Sequence, residues 1–264
     1  LAAAMARGPN EPLSDKPTKK DLEPRISNKL AGVFRPDRGR IGRLVRRKRG
    51  EGTAQFVAEF RSAGRVSGSF RRRSENVKVG ELPTQWLGKT PVYFPTRELL
   101  TIYPGFVSLY ETQAVPFDET WRDTCLLLGA PVARGVRKET IQRLLDPIEE
   151  AIGCRALLED DQFFLLMKEP AGKIEVDLAA EGYRRLAMVA LLIANGSLDE
   201  SGVLFWDEPE ANLNPRLVKR LAPLLYEIAA GGVQVFIATH SLFLMRELEI
   251  LRVQRGAIDT SYIG

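Results

Sequence analysis

The sequence predicts an α/β fold: a mostly parallel sheet with helices on both faces, plus an antiparallel β subdomain and a helical insertion. Three observations predict it. In the last third, the continuous apolar runs Val203 to Trp206 and Val233 to Ala238 alternate with helical segments, as buried parallel strands do. From Arg40 to Val79, short β-prone runs are punctuated by glycines at 50, 52, 64 and 68, a hairpin pattern. Between these regions, residues 97–150 carry largely helical spacing.

Taken in order, residues 7–24 are rich in Pro, Lys, Asp and Ser and read as an exposed linker. Residues 25–34 predict a short helix. Arg43 to Arg46, Ala54 to Phe60 and Val66 to Phe70 read as strands with arginines facing outward. Val92-Tyr93-Phe94 predicts a short buried strand ending at Pro95. Lys138 to Ile152 is the clearest amphipathic helix of the middle region. Arg155 to Leu158 and Phe163 to Lys168 read as strands flanking the acidic turn Glu159-Asp160-Asp161, and Ile174 to Val176 as a third. Glu181 to Ala194 is apolar on most faces, hence a buried helix, closed by Asn195-Gly196. Asn214 caps a helix with Pro215 at its first position; it runs to about Ala230, before Gly231-Gly232. Ser241 to Leu248 predicts a last helix.

The 264 residues are 44% hydrophobic and 27% charged, an ordinary globular composition with ample material for a core. Only Cys125 and Cys154 occur. That argues against a disulfide framework or a cysteine metal site and makes a reducing cytosol the expected compartment. No apolar run approaches the roughly 20 residues of a spanning helix, so no membrane is expected. The net charge of +4 is unevenly spread. Residues 1–80 hold 20 Lys/Arg against 8 Asp/Glu, whereas residues 81–264 hold 18 against 26. Such asymmetry suggests an anionic partner for the first part; a well-solvated β surface would carry the same charges.

Both firm strands of the last third end in reactive polar residues, one in Asp207-Glu208 and the other in Thr239-His240-Ser241. Ligands of open parallel sheets bind beyond such carboxyl ends. Two carboxylates after four buried apolar residues are costly unless their charge is compensated, and a magnesium ion bound with a triphosphate would compensate it. Asp207 would support the metal, Glu208 would polarise the attacking water, and His240 would sense the γ-phosphate. His240 is the only histidine; a lone histidine beside a sheet is more often structural, but this one stands one strand-end from an acidic pair.

Phe205-Trp206-Asp207-Glu208-Pro209-Glu210-Ala211-Asn212-Leu213-Asn214-Pro215 resembles the Walker B and D-loop segments of ABC-type ATPases, and Ala238-Thr239-His240-Ser241 resembles their H-loop. More narrowly, the chain looks like the soluble AAA-annotated branch related to OLD and to SMC/RecF-like proteins. Asp207 and His240 are separated by 32 residues with one helix between. The resemblance implies a P-loop NTPase, ABC-ATPase-like fold, with ATP and Mg2+ as cofactors. It further implies catalytic roles for Glu208 and His240, metal support, largely indirect, from Asp207, and nucleotide contacts from Ala180, Glu181, Gly182, Asn212, Asn214 and Ser241. Leu178 to Arg185 stands where the family carries its signature motif, with Ala180 where a serine is expected. Tyr93 to Glu98 stands at the Q-loop location but holds no glutamine. The partners implied are a second copy of the chain, an effector protein, and nucleic acid at the basic residues 40–73. In that stretch Arg43, Arg46, Arg47, Lys48, Arg49, Arg71, Arg72 and Arg73 would contact phosphates.

A P-loop needs Gly-x-x-x-x-Gly-Lys-Ser/Thr between a strand and a helix. Gly88-Lys89-Thr90 is a decoy, because Pro83 occupies the first glycine position and a strand follows. The expectation is therefore that the sequence starts just after a Walker A motif, with residues 1–24 the end of the following helix and a linker. Residues 25–80 would form the basic β subdomain, 81–170 the Q-loop-like strand and helical insertion, and 171–264 the ATPase core. A non-catalytic dimerisation or regulatory module is the alternative reading. A transporter subunit is disfavoured by the absent Leu-Ser-Gly-Gly-Gln signature. An OLD-type nuclease would need a further carboxylate domain.

Overall fold

The computed structural model describes residues 1–7, 14–46, 52–132, 139–167, 172–199, 202–256 and 258–263. These form two compact units, one of Leu1–Pro91 with Pro116–Thr120 and one of Val92–Val115 with Trp121–Gly264.

The first unit opens with the short α1 (Ala2–Met5) and α2 (Lys19–Phe34). The α2 helix starts well before residue 25, inside the segment expected to be a linker. The reason is a capping box: the Asp21 N–H donates to the Thr18 hydroxyl, and the Thr18 N–H donates to the Asp21 carboxylate. Strands β1 (Thr53–Phe60), β2 (Gly64–Arg71) and β3 (Lys78–Val79) form an antiparallel sheet in that order. Burial alternates along β1, with Phe56 and Phe60 turned to a core of Met5, Leu22, Ile26, Val66 and Trp86. The segment Arg43 to Arg46, expected as a strand, is not one: Ile41–Leu44 is a 3-10 turn. Ile41 and Gly42 within the turn are buried, as is Val45, the extended residue that closes it, a spacing that does not follow the period of two a strand requires. Arg47, Lys48 and Arg49 lie outside the described residues, as do the end residues Lys138 and Lys168 of two expected elements.

The second unit contains β4 (Val92–Phe94), α3 (Phe106–Thr112), most of α4 (Glu119–Leu128), α5 (Glu139–Ile152) and the antiparallel strands β5 (Cys154–Glu159), β6 (Gln162–Met167) and β7 (Lys173–Glu175). Then follow α6 (Glu181–Ala194), β8 (Val203–Asp207), α7 (Pro215–Ala230), β9 (Gln234–Ala238) and α8 (Leu242–Arg255). Strands β4, β8 and β9 form a parallel sheet with β8 at its centre. Leu204 and Trp206 of β8 are buried, and Trp206 meets Phe94 edge-to-face at 5.0 Å. Helix α6 is buried from Arg185 to Ala194, as its nearly all-round apolar sequence requires. No described helix is long and apolar enough to cross a membrane.

Candidate functional site

The parallel strands end level with one another, because Phe94 lies opposite Trp206 and Asp207 opposite Ala238. The first polar residue after each apolar run therefore lands on one edge. Thr96, Asp207-Glu208 and Thr239-His240 gather there, at the carboxyl ends where such sheets take ligands.

Glu208 sits at the middle of this edge. Its N–H donates to the Ala238 carbonyl at 2.8 Å, and its own carbonyl accepts from the Ala211 N–H at 2.9 Å. Its φ is +45°, in the left-handed region that L residues other than Gly, Asn and Asp avoid. The side chain points across to the next strand end, with Oε1 at 3.0 Å from His240 Nδ1. Glu208 is 38% exposed and His240 81%, so their attraction is weak as a source of stability and serves mainly to orient the two groups. Asp207, half-buried, stands at the end of β8.

Behind this edge lie contacts the sequence did not reveal. The Thr239 hydroxyl donates to Glu210 Oε1 at 2.5 Å and accepts from the Ser241 N–H at 3.0 Å. Glu210 Oε2 is buried with no hydrogen-bond partner among the described residues. The Arg185 guanidinium, 3% exposed, donates to the carbonyls of Thr96 and Glu208. Burial pulls its pKa down, while Glu181, Glu210, Glu208 and Asp207 pull it up. Next to it, Arg184 Nε lies 3.1 Å from the buried Glu98 Oε1, an ion pair whose N–H is not aligned as a hydrogen bond. Glu98 accepts from the Leu100 N–H at 2.8 Å and the Thr101 hydroxyl at 2.7 Å, which closes the turn after β4.

The remaining expected site residues divide in two. Asn212 Nδ2 donates to Glu181 Oε1 at 2.8 Å, which joins the D-loop-like segment to the start of α6. Gly182 allows that approach, since a Cβ there would lie 2.9 Å from Leu213 Cδ2 and 3.1 Å from Leu217 Cδ1. Ala180 is the N-cap of α6 and offers no side-chain cap. Asn214 and Ser241, by contrast, spend their side-chain oxygens as helix caps: Asn214 accepts from the Leu217 N–H at 3.0 Å, and Ser241 from the Leu244 N–H at 3.2 Å.

Three or more His, Cys, Asp or Glu side chains nowhere cluster around a common metal position among the described residues. The donors at the edge are the two carboxylates Asp207 and Glu208. Oxygen donors of this number suit Mg2+, which is usually held by one or two carboxylates together with substrate phosphates and water.

The parallel α/β sheet, with an acidic pair and a histidine on neighbouring strand ends, fits the P-loop NTPase fold expected from the sequence. Within it, residues 96–246, more than half of the chain, match the family model described as "AAA domain, putative AbiEii toxin, Type IV TA system", and the chain belongs to that family of ABC/AAA-type ATPase head domains. Among solved structures, an Smc head bound to the C-winged-helix domain of ScpA is 14% identical, with a TM-score of 0.50 over 84% of this chain and 78% of that one. The SMC head domain from Thermotoga maritima is 15% identical, with a TM-score of 0.40 over 89% of this chain and 84% of that one. The Pyrococcus furiosus Smc head with an extended coiled coil is 20% identical, with a TM-score of 0.32; the match covers 41% of this chain but only 30% of that one. Curated proteins give no match.

Proposed function

We propose that this chain supplies the hydrolytic half of an ATP-hydrolysing head that works as a two-fold dimer. One observation carries the proposal: Glu208 and His240 meet at 3.0 Å across neighbouring strand ends, beside Asp207. In this reading the Glu208 carboxylate orients and polarises the water that attacks the γ-phosphate, and His240 holds the other side of Glu208 and reports on that phosphate. Asp207 would support Mg2+, which when bound offsets the negative charge of the phosphates. The start of α6, at Ala180, Glu181 and Gly182, offers backbone N–H groups and a helix dipole to the nucleotide of the second copy. An isologous pair of heads would place each α6 opposite its partner's site.

The family match supports the ATPase assignment. A nucleic-acid-associated, repair or defence role is a proposal resting on the basic first unit, as is an effector partner. The two free, buried cysteines suit a reducing cytosol. A second reading, a non-catalytic dimerisation or regulatory module, draws on Ala180, which lacks the hydroxyl expected at that position, and on the absence of a Gly-x-x-x-x-Gly-Lys-Ser/Thr motif from these 264 residues.

ATP hydrolysis by the full natural protein and by its Glu208→Gln variant separates the two. The ATPase reading expects turnover in the parent and a loss of at least about 100-fold in the variant, the usual scale for a general base, with nucleotide still bound. No turnover in either protein would establish the module instead.

A further inference from the structure

The catalytic edge includes a buried cation that the expected chemistry leaves unused. Arg185 lies one turn into α6, at 3% exposure. Its Nη2 donates to the Glu208 carbonyl at 2.9 Å and its Nη1 to the Thr96 carbonyl. One planar guanidinium therefore bridges the ends of two neighbouring strands, β8 and β4. Burying a charge here is tolerable because the site is acidic: Glu181, Glu210, Glu208 and Asp207 all act on it. Packing alone would not call for an arginine, since the next nine residues of α6, Leu186 to Ala194, are all apolar and buried.

We propose that Arg185 is the positioning residue of this site, fixing the Glu208 backbone so that its carboxylate meets His240, and tying that geometry to the first turn of α6. The proposal rests on the reading of Glu208 as the residue that orients water. Glu208 occupies a left-handed conformation that a glutamate rarely adopts unaided. Its backbone is held by Ala238 on one side and by Ala211 and Arg185 on the other. Of these bonds, only the one from Arg185 comes from α6. The same helix end holds Asn212 through Glu181. A displacement of this turn therefore reaches Glu208 through one side chain. Lysine would keep the charge but cannot reproduce the rigid fork that serves two carbonyls at once.

The test compares Arg185→Lys, Arg185→Met and Glu208→Gln in the full natural protein. His240 is the only histidine of these 264 residues; its imidazole proton resonances, identified by their loss in His240→Gln, report on the Glu208 contact without nucleotide. In the Arg185→Lys protein these signals are expected to move towards those of Glu208→Gln. Its kcat is expected to fall on the order of 10- to 100-fold, the scale of a small misplacement, with little change in KM. Combined with Glu208→Gln it should add no further loss, as for groups acting as one unit. Arg185→Lys carries the test if Arg185→Met does not fold. Unmoved imidazole signals and an unchanged kcat per folded molecule, with Glu208→Gln inactive, would overturn the proposal; a lowered melting temperature alone would mark Arg185 as merely structural and overturn it too. Full turnover by Glu208→Gln would instead overturn the reading of Glu208, leaving the imidazole signals to decide whether Arg185 holds that backbone.

Discussion

Thr239 joins two parts of the edge with a single hydroxyl, donating to the half-buried Glu210 and accepting from the Ser241 N–H. Replacing it by valine keeps the shape but leaves a half-buried carboxylate oxygen and a backbone N–H without this partner. Thr239→Val is expected to cost about 1–3 kcal/mol, read as a shift of the denaturant midpoint at constant slope, while Thr239→Ser should retain most of the stability. Thr239 was legible as a polar residue at a strand end, but its bond to Glu210 was not. Asp207, Glu208 and His240 were visible because each interrupts or follows an apolar run. Arg185 was not, because in a helix read as apolar on most faces nothing local tells it from the adjacent Arg184. Only the packing of α6 behind the sheet separates a buried guanidinium from a solvated one.

Helix α7 shows how a residue can be read correctly in one role while a second role is left open. Asn214 was expected both to cap this helix and to touch nucleotide, and its Oδ1 is engaged with the Leu217 N–H. Asn214→Ala is therefore expected to destabilise the protein by about 1 kcal/mol, read by chemical denaturation; turnover per folded molecule on the same samples decides the second role, since unchanged turnover would remove Asn214 from the nucleotide contacts. Helix α7, with Asn214 as its cap and Pro215 at its first position, starts and ends where the sequence put it, and so does the nearly all-apolar α6, although Ala180 gives it no side-chain cap. The sequence was less informative where burial was non-local. The Arg43 to Arg46 segment has β-like composition, yet Ile41, Gly42 and Val45 are the residues buried there, around a 3-10 turn. Helix α2 reaches back to Lys19 because Thr18 and Asp21 cap each other, a box hidden in a polar, proline-containing stretch.

Across the whole molecule, the charge division is the clearest feature written in composition. Arg46, Arg71, Arg72 and Arg73 are exposed in the first unit, while Arg43 is drawn to Asp37 at 2.8 Å and Arg65 to Glu81 at 3.3 Å. Exposed pairs of this kind hold little energy and can be exchanged for phosphate contacts. If the first unit grips a nucleic-acid backbone, binding to duplexes of unrelated sequence should be similar and should weaken steeply between about 50 and 200 mM salt. Filter binding or anisotropy across that range decides it, and absent or salt-insensitive binding would remove nucleic acid from the proposed partners. The fold class was legible because the parallel strands are continuous apolar runs, although only alternate residues of β8 are buried and β9 leaves one face open, with Phe236 43% exposed. The partner is harder to read, because arginines on a solvated sheet and arginines awaiting phosphate have the same sequence.

The left-handed backbone of Glu208 has a consequence for how this protein can change over generations. Asparagine or glycine would relax that position, and either would also remove the carboxylate. Selection for heat resistance and selection for turnover therefore pull on this codon in opposite directions. Lineages that lose the need for hydrolysis while keeping the scaffold are the ones in which this glutamate should drift first.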